Sequence, residues 1–397
     1  MAMKNLLKII KGINQNHIQA VMFLIVIFSF SIVIMLTIAM NIGSLLKMEN
    51  REMVINAVAL GGDRYSEHQE GFINLNGLMA RMMGQRYMND IVKLNNGQLS
   101  SVDNVRYDVS LAAAQMVKLY RAQKENGKHF LFVHTPQKIP KNEDIIPIGY
   151  DDNSNQTSDD LLLELRANGV PVLDLREKLL EDDINHSGAF FITDHHWTIE
   201  TAFWAHKKIL EYFADAGVIS SVDAMITNID NYVVDKRKNW FLGSSGKRTG
   251  VYYAGVDDFA IISPKFETDM TLEIPSLSVS KRGSFKEVVF TGDEEKLDYF
   301  HSNPYQGYAY GRREIKHFRN EHAPLDLKIM SIGDSFAPPA VAFLSLSLSS
   351  VDELDLNLYD GDFMEYYYEY APDVIIVFVS TAVSLNTTYD FFNDSQE

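Results

Sequence analysis

A serine hydroxyl becomes a nucleophile when a base can take its proton and an acid holds that base in place. Two short segments of the chain supply these residue types. Gly333-Asp334-Ser335-Phe336 stands directly after the buried-strand pattern Leu327-Lys328-Ile329-Met330-Ser331-Ile332. A serine in such a turn is exposed at the carboxyl edge of a parallel sheet, where ligands bind and the following backbone N–H groups can face a developing oxyanion. Taken alone, Gly-Asp-Ser reads first as an ordinary turn or helix cap. The second segment is Thr193-Asp194-His195-His196-Trp197-Thr198, just ahead of a helical pattern. Residues two apart in an extended segment point the same way, so Asp194 can reach the His196 imidazole while His195 points elsewhere. The competing reading has Asp194 or Thr198 capping the helix with Trp197 packed beneath it. Adjacent histidines with an aspartate are also competent metal ligands. A thiolate-free site needs a further ligand at suitable spacing, and none is evident, so no metal is expected. Asp194, His196 and Ser335, in that chain order, make a hydrolase-like constellation suited to acyl transfer.

Such residues need a scaffold that brings them to one edge. From Ser110 to Lys124 the apolar residues Leu111, Met116, Val117 and Leu119 fall at helical spacings, with Gly127 as a stop. His129 to Val133 then reads as a buried parallel strand ended by Thr135-Pro136. The grammar repeats with helix Ser158–Ala167, Gly169 and strand Pro171–Leu175, and a third helix, Thr198–Ala214, follows the histidines. Val374 to Val379, introduced by Pro372-Asp373, is the last central strand. This alternation predicts an α/β domain with a mostly parallel sheet and flanking helices. Between about residues 229 and 300, short alternating runs (Val251–Tyr253, Phe259–Ile262, Thr271–Ile274, Glu287–Phe290) predict a β-rich insertion of antiparallel hairpins. Asn95-Asn96-Gly97 is a hairpin signal, and residues 151–160 read as a flexible polar loop.

Composition narrows the function. The chain has 397 residues, no cysteine, and 53 acidic against 36 basic side chains. Disulfide frameworks, thiolate metal sites and cysteine nucleophiles are excluded. The acidic balance argues against a nucleic-acid partner, since nothing neutralises a phosphate backbone over a broad surface. Residues Ala20 to Ile42 carry no charged side chain. As a helix they extend about 34 Å, enough to cross a bilayer core. Lys4, Lys8 and Lys11 lie ahead of this span, and the first acid is Glu49. The positive-inside rule then makes 1–19 a cytoplasmic tail, 20–42 an uncleaved transmembrane signal anchor, 43–84 a membrane-proximal segment and 85–397 an extracytoplasmic domain in the cell membrane. Within that acidic domain, Lys138, Lys247 and Arg248 are basic spots that would steer an anionic glycan or carboxylate, with simple surface charge as the plainer alternative. Trp197, beside His196, is read as lining the pocket, and Trp204 as core.

Asp194-His195-His196-Trp197 together with Gly333-Asp334-Ser335-Phe336 resembles the DHHW family. That family is a branch of the SGNH-hydrolase-like proteins related to alginate-type polysaccharide O-acetyltransferases. Pro136-Gln137-Lys138, the stretch from Trp240 to Arg248, and Pro372-Asp373-Val374 fit the same pattern, which spans most of 85–385. The resemblance implies an SGNH-like fold with Ser335 as nucleophile, His196 as base and Asp194 as its orienting acid. It implies an O-acetyltransferase or acetylesterase that acts on an exported polysaccharide without a cofactor. A multi-pass membrane protein would supply the acetyl groups. Asn386 is the candidate for the oxyanion site. The alternative is a non-catalytic glycan-binding or polysaccharide-assembly protein on the same fold.

Overall fold

The computed structural model describes residues 21–25, 27–29, 32, 66–141, 144–292, 298–380 and 391–392. The chain divides into two units, Met1–Gly71 and Phe72–Glu397. In the first, residues 21–25, 27–29 and 32 are helical. The rest of the expected anchor, 20–42, lies outside the described residues, as does Asn386. Among the described residues no helix is long and apolar enough to cross a membrane.

In the second unit, helical residues 72–82 precede a small antiparallel sheet of β1 (Tyr87–Met88), β2 (Ile91–Lys93) and β3 (Leu99–Ser100). The Asn95-Asn96-Gly97 turn joins β2 to β3, with Gly97 at φ +88°, a conformation that favours glycine. Further strands are β4 (His129–His134), β5 (Val172–Asp174), β6 (Tyr232–Phe241), β7 (Asp257–Pro264), β8 (Met270–Ile274), β9 (Val279–Gly283), β10 (Ile315–Asn320), β11 (Leu325–Gly333), β12 (Leu348–Leu354) and β13 (Val374–Val379). The main sheet has the order β5-β4-β13-β11-β12-β10-β8-β9. Pairing is parallel from β5 to β12 and antiparallel from there to β9. The central strands are continuous apolar runs because both faces are covered; every residue of β13 is buried.

Helices α1 (Ser110–Glu125), α2 (Ser154–Ala167), α3 (Ile199–Asp215), α4 (Ser244–Thr249), α5 (Ala337–Leu344) and α6 (Phe363–Tyr370) are the ones that matter for the site. α3 and α5 pack on one face of the sheet through Ile199, Ala202, Phe203, Ile209, Val341 and Phe343. On the other face α1, α2 and α6 contribute Met116, Leu119, Leu161, Leu165 and Tyr367. α3 presents its apolar residues at helical spacing, and Thr198 caps it by accepting the Thr201 N–H at 3.3 Å.

Two expectations need correction. The 229–300 region is only partly an insertion. β6 and β7 form their own two-stranded sheet, whereas β8 and β9 extend the main sheet beyond β10. Within it, Val251–Ala254 is a helical turn and Phe285–Val289 a short helix with a Ser284/Glu287 capping box, not strands. The 151–160 stretch is ordered as well: Asp152 accepts the Asp103 N–H at 2.9 Å and the Ser154 N–H at 3.1 Å, and α2 begins at Ser154.

Candidate active site

Ser335 stands two residues past the end of β11, at the carboxyl edge of the parallel strands. Gly333 is the last residue of the strand, and a Cβ there would stand 2.6 Å from Ala337 Cβ and 3.0 Å from Phe378 Cβ. Only glycine lets β11 run so close to β13 and α5. The turn itself is held by Asp334. One carboxylate oxygen accepts the Phe336 N–H at 2.9 Å; the other accepts the Ser380 N–H at 2.8 Å and its hydroxyl at 2.5 Å. Ser380 lies just past β13, so two adjacent strand ends are tied together beneath the serine.

His196 arrives on a loop. Phe190 and Trp197 bridge antiparallel, and Thr198 N–H donates to the Ala189 carbonyl at 2.9 Å, closing a hairpin-like excursion ahead of α3. At its tip His196 Nε2 lies 2.7 Å from Ser335 Oγ, although the two residues are 139 apart in sequence. His196 Nδ1 is 2.5 Å from Asp194 Oδ1, which also accepts the His196 backbone N–H at 3.0 Å. The other Asp194 oxygen accepts the Ser244 N–H, at the start of α4, at 2.6 Å. Burial alone would raise the Asp194 carboxyl. The His196 hydrogen bond and charge, with the Ser244 N–H, overcome it and hold the group well below the usual carboxylate range.

Sequence reading gave no role to several neighbours. Tyr305 stacks on the His196 ring at a centroid distance of 4.1 Å, and its hydroxyl donates to the Ser335 carbonyl at 3.1 Å. Burial, with the Asp194 charge, pushes its hydroxyl far above the ordinary tyrosine range, so it stays a donor. Gly243 abuts Asp194: a Cβ there would lie 2.2 Å from Asp194 Cβ. Gly243 N–H donates to Thr193 Oγ1 and Gly246 N–H to the Thr193 carbonyl, both at 2.8 Å. The Gly243–Gly246 turn is thus a cradle for the aspartate loop, and its glycines were the available signal.

His195 does not point away. Its ring centroid is 3.8 Å from that of His196, and its Nδ1 is 3.1 Å from Ser244 Oγ. Packing against the protein and the adjacent His196 lower its pKa. Asp194, His195 and His196 present possible metal-ligand atoms within 4.8 Å of one another. Both Asp194 oxygens and both His196 nitrogens are already engaged, so a cation there would compete with the relay to Ser335.

The residues assigned to substrate binding are not gathered into one subsite. Lys138 is buried, and its ammonium donates to the carbonyls of Leu99 (2.6 Å), Ile192 (2.9 Å) and Asp194 (2.6 Å). It steers nothing from solution. Trp197 is fully buried against Phe336, beneath the site rather than lining it. Arg248 pairs at the surface with Asp90 at 3.0 Å. Lys247 is half-buried and donates to the Ser302 carbonyl at 2.9 Å. Burial lowers its pKa, and the Asp194 charge opposes that shift.

Residues 101–223 match the family model of the SGNH hydrolase-like domain of the acetyltransferase AlgX. The matched segment contains Asp194 and His196 and ends before Ser335. No curated protein matches the chain in sequence. The fold is similar to that of PatB1 from Bacillus cereus, at 18% identity and TM-score 0.63, over 76% of this chain and 99% of PatB1. A structure of PatB1 with a sulfonyl adduct gives a TM-score of 0.61 over the same shares. A DHHW family protein from Eubacterium siraeum is similar at 15% identity and TM-score 0.57, over 75% of this chain and 93% of the other. Residues 101–223 are therefore similar to the SGNH hydrolase-like domain of the acetyltransferase AlgX, and the fold is similar to that of a DHHW family protein.

Proposed function

We propose that this chain is a membrane-anchored, extracytoplasmic O-acetyltransferase, or an acetylesterase of the same chemistry, acting on an exported polysaccharide through Asp194, His196 and Ser335. The observation that carries the reading is the unbroken hydrogen-bonded relay from Ser335 Oγ through His196 to Asp194. The His196 Nδ1–H donates to Asp194, leaving Nε2 to accept the Ser335 hydroxyl. As Ser335 Oγ attacks the acetyl carbonyl, its proton passes to Nε2 and the Asp194 carboxylate stabilises the imidazolium. The tetrahedral adduct expels the donor oxygen, which leaves with the Nε2 proton, and an acetyl ester remains on Ser335. A sugar hydroxyl or water then gives its proton to Nε2 and attacks that ester. The serine oxygen departs with the proton and the acetyl group moves on. None of these steps calls for a cofactor.

The apolar 20–42 stretch would hold the domain at the outer membrane surface. Soluble activated acetyl groups are not expected there, so a multi-pass membrane protein would hand them across. The test is direct. Full-length protein incubated with an activated aryl acetate should acquire one acetyl group on the peptide containing Ser335, seen by mass spectrometry, and Ser335→Ala should acquire none there. An unlabelled wild-type peptide, with glycan binding intact, would favour the non-catalytic glycan-binding reading instead.

A further inference from the structure

Ile192, Thr193 and Asp194 lie in neither helix nor strand, so no ladder satisfies their backbone groups. Gly246 N–H donates to the Thr193 carbonyl at 2.8 Å and Leu99 N–H to that of Ile192 at 2.9 Å, and two buried charges of opposite sign supply the rest. Asp257 accepts the Ile192 N–H at 2.7 Å, the Thr193 N–H at 2.8 Å and the Thr193 hydroxyl at 2.6 Å. Lys138 takes the carbonyls of Ile192 and Asp194, and braces them against Leu99 of β3. The geometry points to Lys138 and Asp257 as positioning residues that clamp the loop from its two backbone sides and so aim Asp194 at His196.

This inference rests on the catalytic reading of Asp194, His196 and Ser335. An ammonium has three N–H bonds, and here each meets a carbonyl. A neutral amine keeps two, and its lone pair then faces the third oxygen, so one grip turns repulsive. Burial brings Lys138 down to about 7, opposed by the charges of Asp257 and Asp194, and Lys138 in turn helps to depress His195. The clamp therefore loosens at mildly alkaline pH. Fold stability responds in the opposite sense. Because the folded pKa is lowered, the unfolded chain binds more protons between about pH 7 and about 10.4, and this group adds stability as pH rises there. A merely structural lysine would not give falling activity alongside rising stability.

The test uses full-length protein and two readouts, kcat for an activated aryl acetate against pH and the downfield proton signal of the Asp194–His196 hydrogen bond. Lys138→Met should lower kcat at least roughly ten-fold with KM changed less than about three-fold. Lys138→Arg, which keeps its charge, should recover most of kcat and move the alkaline limb up by about one pH unit or more. The downfield signal should weaken in wild type above about pH 7.5 and persist in the Arg variant. Wild-type kcat and signal that stay level from about pH 7 to 9, or an unchanged signal in Lys138→Met, would overturn the clamp. Should either variant misfold, the wild-type profile decides alone. If Ser335→Ala were as active as wild type, the catalytic reading would fail, and the proton signal would judge the clamp separately.

Discussion

Ser335 and His196 meet at 2.7 Å, yet their supports differ in kind. Ser335 stands just past a strand paired on both sides and packed by α5, so apolar burial carries most of its support, with Asp334 tying the turn to Ser380. Asp194 and His196 sit on a loop outside the sheet, fixed by Asp257, Lys138, the Ser244 N–H and the Gly243–Gly246 turn. Apolar packing hardly responds to pH or to a single lost hydrogen bond, whereas a polar clamp responds to both. On the proposed reading, the comparison implies a rigid nucleophile facing a tunable base.

The largest effects should come from the relay itself. Ser335→Ala and His196→Ala should each lower aryl-acetate turnover by on the order of 10³-fold or more, and the double variant should be little worse. Additive losses would mean that the two limbs do not act as a unit. Asp194→Asn should cost somewhat less, on the order of 10²-fold, through the wrong imidazole tautomer.

Two glycines sharpen the contrast. Gly243→Ala drives a methyl into Asp194, and Gly333→Ala drives one into Ala337 and Phe378. The first should lower kcat about ten-fold or more with modest loss of stability. The second should destabilise the fold by about 1–3 kcal/mol, read as a lower urea midpoint. The reverse ranking would mean that the two supports have been assigned the wrong way round.

Acid should test the core. Burial lowers His134 to about 4 and His206 to about 3, so both are neutral in the fold. An unfolded histidine takes up its proton near pH 6.5. Stability should therefore fall from about pH 6.5 towards 4, by about 1.4 kcal/mol per pH unit for each histidine. A thermal midpoint that holds steady across that window would count against the assignment. His195→Ala should have the smallest effect, less than about ten-fold on kcat, because its ring only flanks His196.

The serine limb was legible because it depends on local pattern: an unbroken apolar strand, a glycine, then Asp-Ser. The same holds for β4 and β13 and for the stops at Gly127 and Gly169, both at positive φ. The histidine limb was legible only in its motif, since its supports come from segments distant in sequence. Lys138 reads as surface charge by default, and only its three carbonyl partners explain its burial. β12 was missed for a similar reason. Its Asp352 and Glu353 look wrong for a buried strand until Arg319 and Lys316 of β10 lie beside them. At Val251–Tyr253 and Glu287–Phe290 a few alternating residues could not separate strand from helical turn, although Ser284 and Glu287 already spelled a capping box.

The position of β13 between β4 and β11 sets an order of assembly. His134 and Val379 come together across 245 residues, and Asp334 finds Ser380 across 46. Until the final strand inserts, β4 and β11 each present an unpaired apolar edge, and the turn under Ser335 lacks its anchor. During synthesis the nascent protein would thus lack an anchored Ser335 turn and be prone to aggregate until residues through Ser380 have emerged. Chains cut short before Val374 should be cleared by proteases or held by chaperones rather than persist as folded fragments.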